Sequence, residues 1–274
     1  MRYLQLIVAL LIGLEVLFVI PATSVVLAQN STAKAFQPTF PPANFTKNYV
    51  GNINNIKIQM TLTGHGKELS GSYFYEKYKK NIPLKGRLTD QGYFQIEEYA
   101  DKEYPTGSFI GAFVSSEAFT GYWQNGAPAT KHLPFQLIEA GKDPNTVFSD
   151  TNKPRTLECN VPNDKGAATF FMIGETIIGF NYQNVGANSH ICDVDTNRAE
   201  ENIIWQDGPA TTITFTKDYS GDDESGNVVI EKGTDRYTIT FNGSFRYFCG
   251  ARAGVPTKVL ISKSAQGWVG KAQY

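Results

Sequence analysis

His65, His132 and His190 are the only imidazoles in a chain of 274 residues, and Cys159, Cys192 and Cys249 are the only thiols. His65 lies between Gly64 and Gly66 and reads as a solvated hairpin residue. His190 and Cys192 stand two apart, a spacing that puts both on one strand face as a nucleophile pair. The competing reading is a disulfide, because an exposed thiol in an oxidising compartment is normally oxidised. Carboxylates gather at Glu97-Glu98 with Asp101 and Glu103, and again at Asp222-Asp223-Glu224; with no cleft to place them they read as solvated loops. Asp193, Asp195 and Asn197 have the spacing that opens a calcium loop, but Arg198 replaces the glycine at the sixth position and Ile204 the glutamate at the twelfth. The chain has neither G-x-S-x-G nor H-E-x-x-H, and Gly64–Lys67 lacks the spacing and following helix of a phosphate loop. These residues point to binding rather than catalysis, with no cofactor implied. The formal charge of −1, from 25 basic and 26 acidic side chains, argues against a nucleic-acid partner held by bulk electrostatics.

The N-terminus carries an export signal. Arg2 precedes an apolar run from Leu4 to Ile20, broken by Gln5 and Glu15. Pro21 ends the run, and Val26-Leu27-Ala28 offers a cleavage site. The rival reading is an uncleaved anchor, in which Glu15 near mid-bilayer would cost about 2.5–3.5 kcal/mol. Cleavage after Ala28 is the expectation, with a periplasmic or secreted product and no membrane contact beyond the signal. Residues 29–47, rich in Asn, Ser, Thr, Ala and Pro, read as a flexible linker.

The elements that must position any binding residues are strands. From Tyr49 the dominant period is two: Ile56, Ile58, Met60 and Leu62 alternate with polar neighbours. Similar runs span Leu69–Tyr75, Ile82–Leu88, Tyr93–Glu97, Phe109–Phe113, Phe119–Trp123 and Leu133–Leu137. Turn signals at Gly64-His65-Gly66, Asp90-Gln91-Gly92 and Asn125-Gly126 separate several of them. Gly51, Gly71, Gly86, Gly111 and Gly121 each sit mid-strand between two apolar residues. Glycine weakens a strand there, so the repeat calls for a geometric reason, and strong coiling of the sheet is one. Residues 48–140 are therefore predicted to form an up-and-down barrel or a tightly curled sandwich. Its inward face would carry Tyr73, Tyr75, Phe109, Phe113, Phe119 and Trp123.

Residues 141–154 have linker composition, and 155–274 again read as antiparallel strands. The expected architecture is all-β with two antiparallel domains, a single continuous sandwich being the alternative. In an exported protein Cys192 and Cys249, each near a predicted strand end, form the expected disulfide. Cys159 is then a buried free thiol or an intermolecular link.

The run Leu69-Ser70-Gly71-Ser72-Tyr73-Phe74-Tyr75 resembles the Ser-Gly-x-x-Tyr motif of the periplasmic lysozyme inhibitors, small exported β-proteins. Here Phe74 takes the fifth position, with tyrosine on either side. Trp205-Gln206-Asp207-Gly208-Pro209-Ala210 is similar to the W-x-x-G-x-A stretch of the membrane-bound C-type inhibitors. The glycine repeat is similar to avidin- and lipocalin-like barrels, which hold one small ligand. The first resemblance implies a non-enzymatic protein that blocks a lysozyme-like hydrolase of the envelope, with Ser70, Gly71, Ser72, Tyr73 and Tyr75 at the contact. The barrel likeness implies a small apolar ligand instead. Alternation places Leu69, Gly71, Tyr73 and Tyr75 on the inner face and Ser70, Ser72 and Phe74 on the outer.

Overall fold

The computed structural model describes residues 35–100, 103–126, 131–186, 189–215, 225–250 and 253–274. The expected export signal with its cleavage site, the start of the expected linker, Asp101 and Asp222-Asp223-Glu224 lie outside them. Alternating sequence becomes a meander: β1 (Asn44–Ile53), β2 (Ile56–His65), β3 (Glu68–Tyr75), β4 (Ile82–Leu88), β5 (Tyr93–Glu98), β6 (Gly107–Ser115), β7 (Ala118–Asn125) and β8 (His132–Glu139). Each strand pairs antiparallel with the next, and β8 returns to β1 from Tyr49↔Glu139 to Ile53↔Phe135, closing a barrel. β1 begins at Asn44, so Asn44–Lys47 belong to the barrel rather than to the linker. They pair because Phe45 packs edge-on against Phe113, with ring centroids 6.2 Å apart, while Thr46 meets Thr63 on the outside at 3.0 Å.

The glycine repeat has a sharper cause than coiling alone. A Cβ at Gly51 would lie 2.0 Å from the Gln136 carbonyl oxygen, and at Gly71 2.0 Å from that of Thr61. Gly111 and Gly121 face each other across β6 and β7, and a Cβ on either would fall within about 2.1 Å of a carbonyl oxygen. The strands are drawn so close that the neighbouring backbone occupies the space of a side chain. Edge-to-face rings fill the interior: Phe94, Phe109, Phe113, Phe119 and Phe135 are buried with Tyr49 and Tyr73.

The second sheet has ten strands: β9 (Pro154–Val161), β10 (Gly166–Ile173), β11 (Thr176–Val185), β12 (Ile191–Asn197), β13 (Ile203–Gln206), β14 (Ala210–Phe215), β15 (Gly226–Lys232), β16 (Arg236–Gly243), β17 (Lys258–Ser264) and β18 (Gly267–Gln273). All pairings are antiparallel except a short parallel contact of β18 with β9, and β12 and β13 are the edges. The sheet curls round one core that includes Phe170, Phe180, Tyr182, Trp205, Tyr237 and Phe241.

Cys192 and Cys249 are joined, as the sequence suggests, which rules out a Cys192–His190 nucleophile. The bridge fits an oxidising compartment. It fastens the turn after β16 to the edge of β12, where Asp193 N–H donates to the Phe248 carbonyl at 2.8 Å and Gly250 N–H to that of Ile191 at 3.0 Å. Cys159 is a buried free thiol whose pKa burial pushes up to about 12, so it is neither nucleophilic nor readily oxidised. Alkylation of unfolded, unreduced protein is expected to label Cys159 alone, whereas labelling of all three thiols would refute the bridge. Replacing both bridged cysteines by alanine should cost about 2–4 kcal/mol.

The outer face of β6–β8 packs on the outer face of β10–β12. Tyr122 stacks on Phe171 at 4.1 Å with Ile110, Ala112, Ile173 and Ile178 around them, and His132 leans on Phe171 at 4.6 Å. The Tyr122 hydroxyl reaches Gly179, where a Cβ would lie 2.5 Å from it. Asp193, Asp195 and Asn197 share the β12 face turned toward this seam, in a strand and not in a calcium loop. No group of three potential metal ligands occurs among the described residues.

Candidate functional site

The two ends of the barrel differ. At one, residues 36–43 cross the opening: Thr39 N–H donates to the Phe113 carbonyl at 2.8 Å, Pro38 covers Gly92, and the Ala43 carbonyl accepts from Gly66 N–H at 2.7 Å. At the other end the inner faces of β3, β5 and β7 finish in Tyr73, Tyr75, Glu98 and Trp123.

Glu98 is 5% exposed, an unusual place for a carboxylate, and it is met by three donors. Tyr73 donates to Oε2, Trp123 Nε1 donates to the same oxygen at 3.1 Å, and Thr106 Oγ1 donates to Oε1 at 3.1 Å. Gly107, opposite Glu98 on β6, makes room for it: a Cβ there would lie 2.8 Å from Oε1. Burial first, then the adjacent carboxylate, pushes the Tyr73 phenol far above its ordinary pKa, so it remains a proton donor at any working pH. The Tyr75 hydroxyl lies 3.2 Å from that of Tyr73, and burial raises its pKa too.

Around this buried cluster stands a rim. Tyr75 is half-buried and meets the exposed Tyr78 edge-to-face at 6.5 Å. Tyr99 donates to Glu97 at 2.6 Å and lies beneath the Lys85 ammonium at 5.6 Å. Tyr104 is also exposed. The arrangement presents stiff aromatic bodies with polar tips over a fixed hydrogen-bonded floor, which suits recognition better than proton transfer.

The five residues singled out from the sequence do not converge. Tyr73 is fully buried as part of the floor, and Tyr75 sits at the rim. Ser70 is exposed and Ser72 half-exposed on the outside wall, across from Lys85 and Pro83. Gly71 is close to its own neighbour, the Thr61 carbonyl, so its missing side chain serves the barrel. The segment is a regular strand, not a protruding loop. Glu98 escapes a sequence reading because Glu97-Glu98 looks like a solvated pair. A signal is nevertheless present, since Phe94, Ile96 and Glu98 fall on one face. No protein-family model matches the chain, and no curated protein or solved structure is significantly similar to it.

Proposed function

We propose that this is an exported, non-enzymatic binding protein of the cell envelope, periplasmic or secreted, which engages its partner at the open end of its barrel. The observation that carries the reading is the contrast between the two ends: one is crossed by residues 36–43, and the other displays Tyr75 and Tyr78 over the Glu98 cluster. A lysozyme-like hydrolase is the partner class to test first, on the strength of the Ser70–Tyr75 resemblance. A small apolar ligand inside the barrel would have to displace packed rings, so the packing favours recognition at the rim.

The test is a panel of C-, G- and I-type lysozymes assayed with the mature protein and with Tyr75→Ala and Tyr78→Ala. Inhibition at micromolar concentration that falls about tenfold in either variant is expected for rim contacts of this kind. No inhibition of any type would sink the hydrolase partner. Inhibition unchanged in both variants would move the contact away from the rim.

A further inference from the structure

The turn between β3 and β4 reads Glu76-Lys77-Tyr78-Lys79-Lys80-Asn81, and every one of these residues is exposed. Its start is tied to β2, where Glu76 N–H donates to the carbonyl of Lys57, another exposed lysine. Four lysines thus stand together on a chain whose overall formal charge is −1. None of the four makes an ion pair among the described residues, although Lys47, Lys67, Lys142, Lys153 and Lys232 do. The one acid in the turn, Glu76, is engaged by the Gln59 amide at 3.3 Å. Lys79 also holds a left-handed backbone, φ +51, with its N–H and that of Tyr78 both bonded to the Tyr75 carbonyl at 2.9 Å. Glycine or asparagine would adopt that conformation at lower cost, so a lysine there keeps its charge against a local preference.

From this cluster we infer that the β3–β4 turn with Lys57 is a binding site for an acidic polysaccharide, a chain of sugars bearing carboxylate groups. The inference rests on the reading that this end of the barrel is the recognition surface, and on nothing about a hydrolase. Lysines on flexible stems suit repeated, loosely placed anions, where bidentate recognition would call for arginine. Tyr78, exposed and braced edge-on by Tyr75, carries the Lys77 ammonium over one ring face at 5.3 Å and offers the other to the apolar side of a sugar. One six-residue turn is too small for a stable protein interface, which buries roughly 1,200–2,000 Å². It carries no aliphatic side chain to insert into a bilayer.

The experiment titrates the mature protein with polygalacturonate at low salt, beside neutral dextran, poly-glutamate and phosphatidylglycerol vesicles. Saturable binding to polygalacturonate, absent with dextran and at least about tenfold tighter than to poly-glutamate or vesicles, is expected. It should weaken about fivefold or more between roughly 50 and 300 mM salt, as screened charges require. Changing Lys77, Lys79 and Lys80 together to alanine should weaken it about tenfold or more, and Tyr78→Ala about threefold. Lys79→Gly supplies the second variant: it should melt at a higher temperature than the parent yet bind about threefold less tightly. No binding to polygalacturonate, equal or tighter binding to poly-glutamate or vesicles, or unchanged affinity in the lysine variants would each overturn the site. Lysozyme inhibition is scored separately, so loss of either reading leaves the other standing or falling on its own result.

Discussion

Alanine at Gly111 or Gly121 is expected to destabilise the barrel by about 3 kcal/mol or more, at the upper end of overpacking effects. The new methyl group would lie 2.1 Å from the Thr120 carbonyl oxygen in the first case and 2.0 Å from that of Ile110 in the second. Neither obstacle is the end of a flexible side chain. Both are backbone in a paired strand, so β6 and β7 must separate to admit the methyl. Separation would weaken the ladder and pull Phe109, Phe113 and Phe119 apart. For a chain of this size a loss of about 3 kcal/mol lowers the melting temperature by roughly 6–12 °C. Gly254→Ala is the control, since no atom lies within 4 Å of the place its methyl would take, and its melting should be unchanged. A drop of less than about 2 °C at Gly111 and Gly121 would mean that the strands are not this close.

Thermal stability should also fall as pH rises from about 4 to 7.5. Burial first, and the neighbouring Asp193 second, pushes the Asp195 carboxyl up to about 6. Glu200, which accepts from the backbone and side chain of Asn197, is pushed up to about 7, again chiefly by burial. In the unfolded chain both groups ionise near pH 4. The folded state therefore holds these protons more tightly, and its advantage is complete below about pH 4. That advantage is lost as pH climbs through 6 and 7. Both side chains are partly exposed, so solvent screening reduces the full linkage value, leaving about 2–3 kcal/mol for the pair. The other groups on the seam include Asp193, paired with the Asn181 amide at 2.7 Å, Tyr122 and Tyr93, which burial keeps protonated, Arg198, which lies over the Tyr93 ring and pairs with Asp207, and His132. Burial lowers the His132 pKa, so its contribution has the opposite sign: stability present when it is neutral is lost as pH falls below about 6.5. Melting curves at half-unit steps give the test. The parent should lose stability between about pH 4 and 7.5, and Asp195→Asn with Glu200→Gln should abolish the loss. A parent profile that is flat or rises over that range would contradict the seam as described.

The period-two alternation identifies strands such as β2 because one face is buried and the other is wet. Ile58, Met60 and Leu62 are buried while Lys57, Gln59 and Thr61 are exposed. Where the wet side is not water, the same rule misleads. Asp193, Asp195 and Asn197 look like turn residues, yet they line a strand whose other face is Cys192, Val194 and Thr196, because their polar side faces the barrel and not solvent. Glu98 misleads for the converse reason, being a charged side chain on an apolar face that three donors make tolerable, Tyr73 from β3, Trp123 from β7 and Thr106 just before β6. Thr106 is supplied locally, but Tyr73 and Trp123 are brought to Glu98 by the curl of β3–β7, which no local pattern encodes. The lysine turn is hidden for a related reason. Its residues are plain in the chain, but that they make no ion pair among the described residues is visible only in the folded chain.

Each sheet is joined by its own first and last strands, and this sets an order in time. β1 meets β8 about ninety residues later in the chain, and β9 meets β18 after more than a hundred. A polypeptide that emerges N-terminus first holds the free edge of β1 open until Glu139 has followed it out, and that of β9 open until Trp268 has. No hairpin along the way can seal either edge, so the slow step of folding is a long-range closure that nearby contacts cannot hasten. During that interval Tyr49 and Ile53, buried in the finished barrel, lie on an unpaired strand.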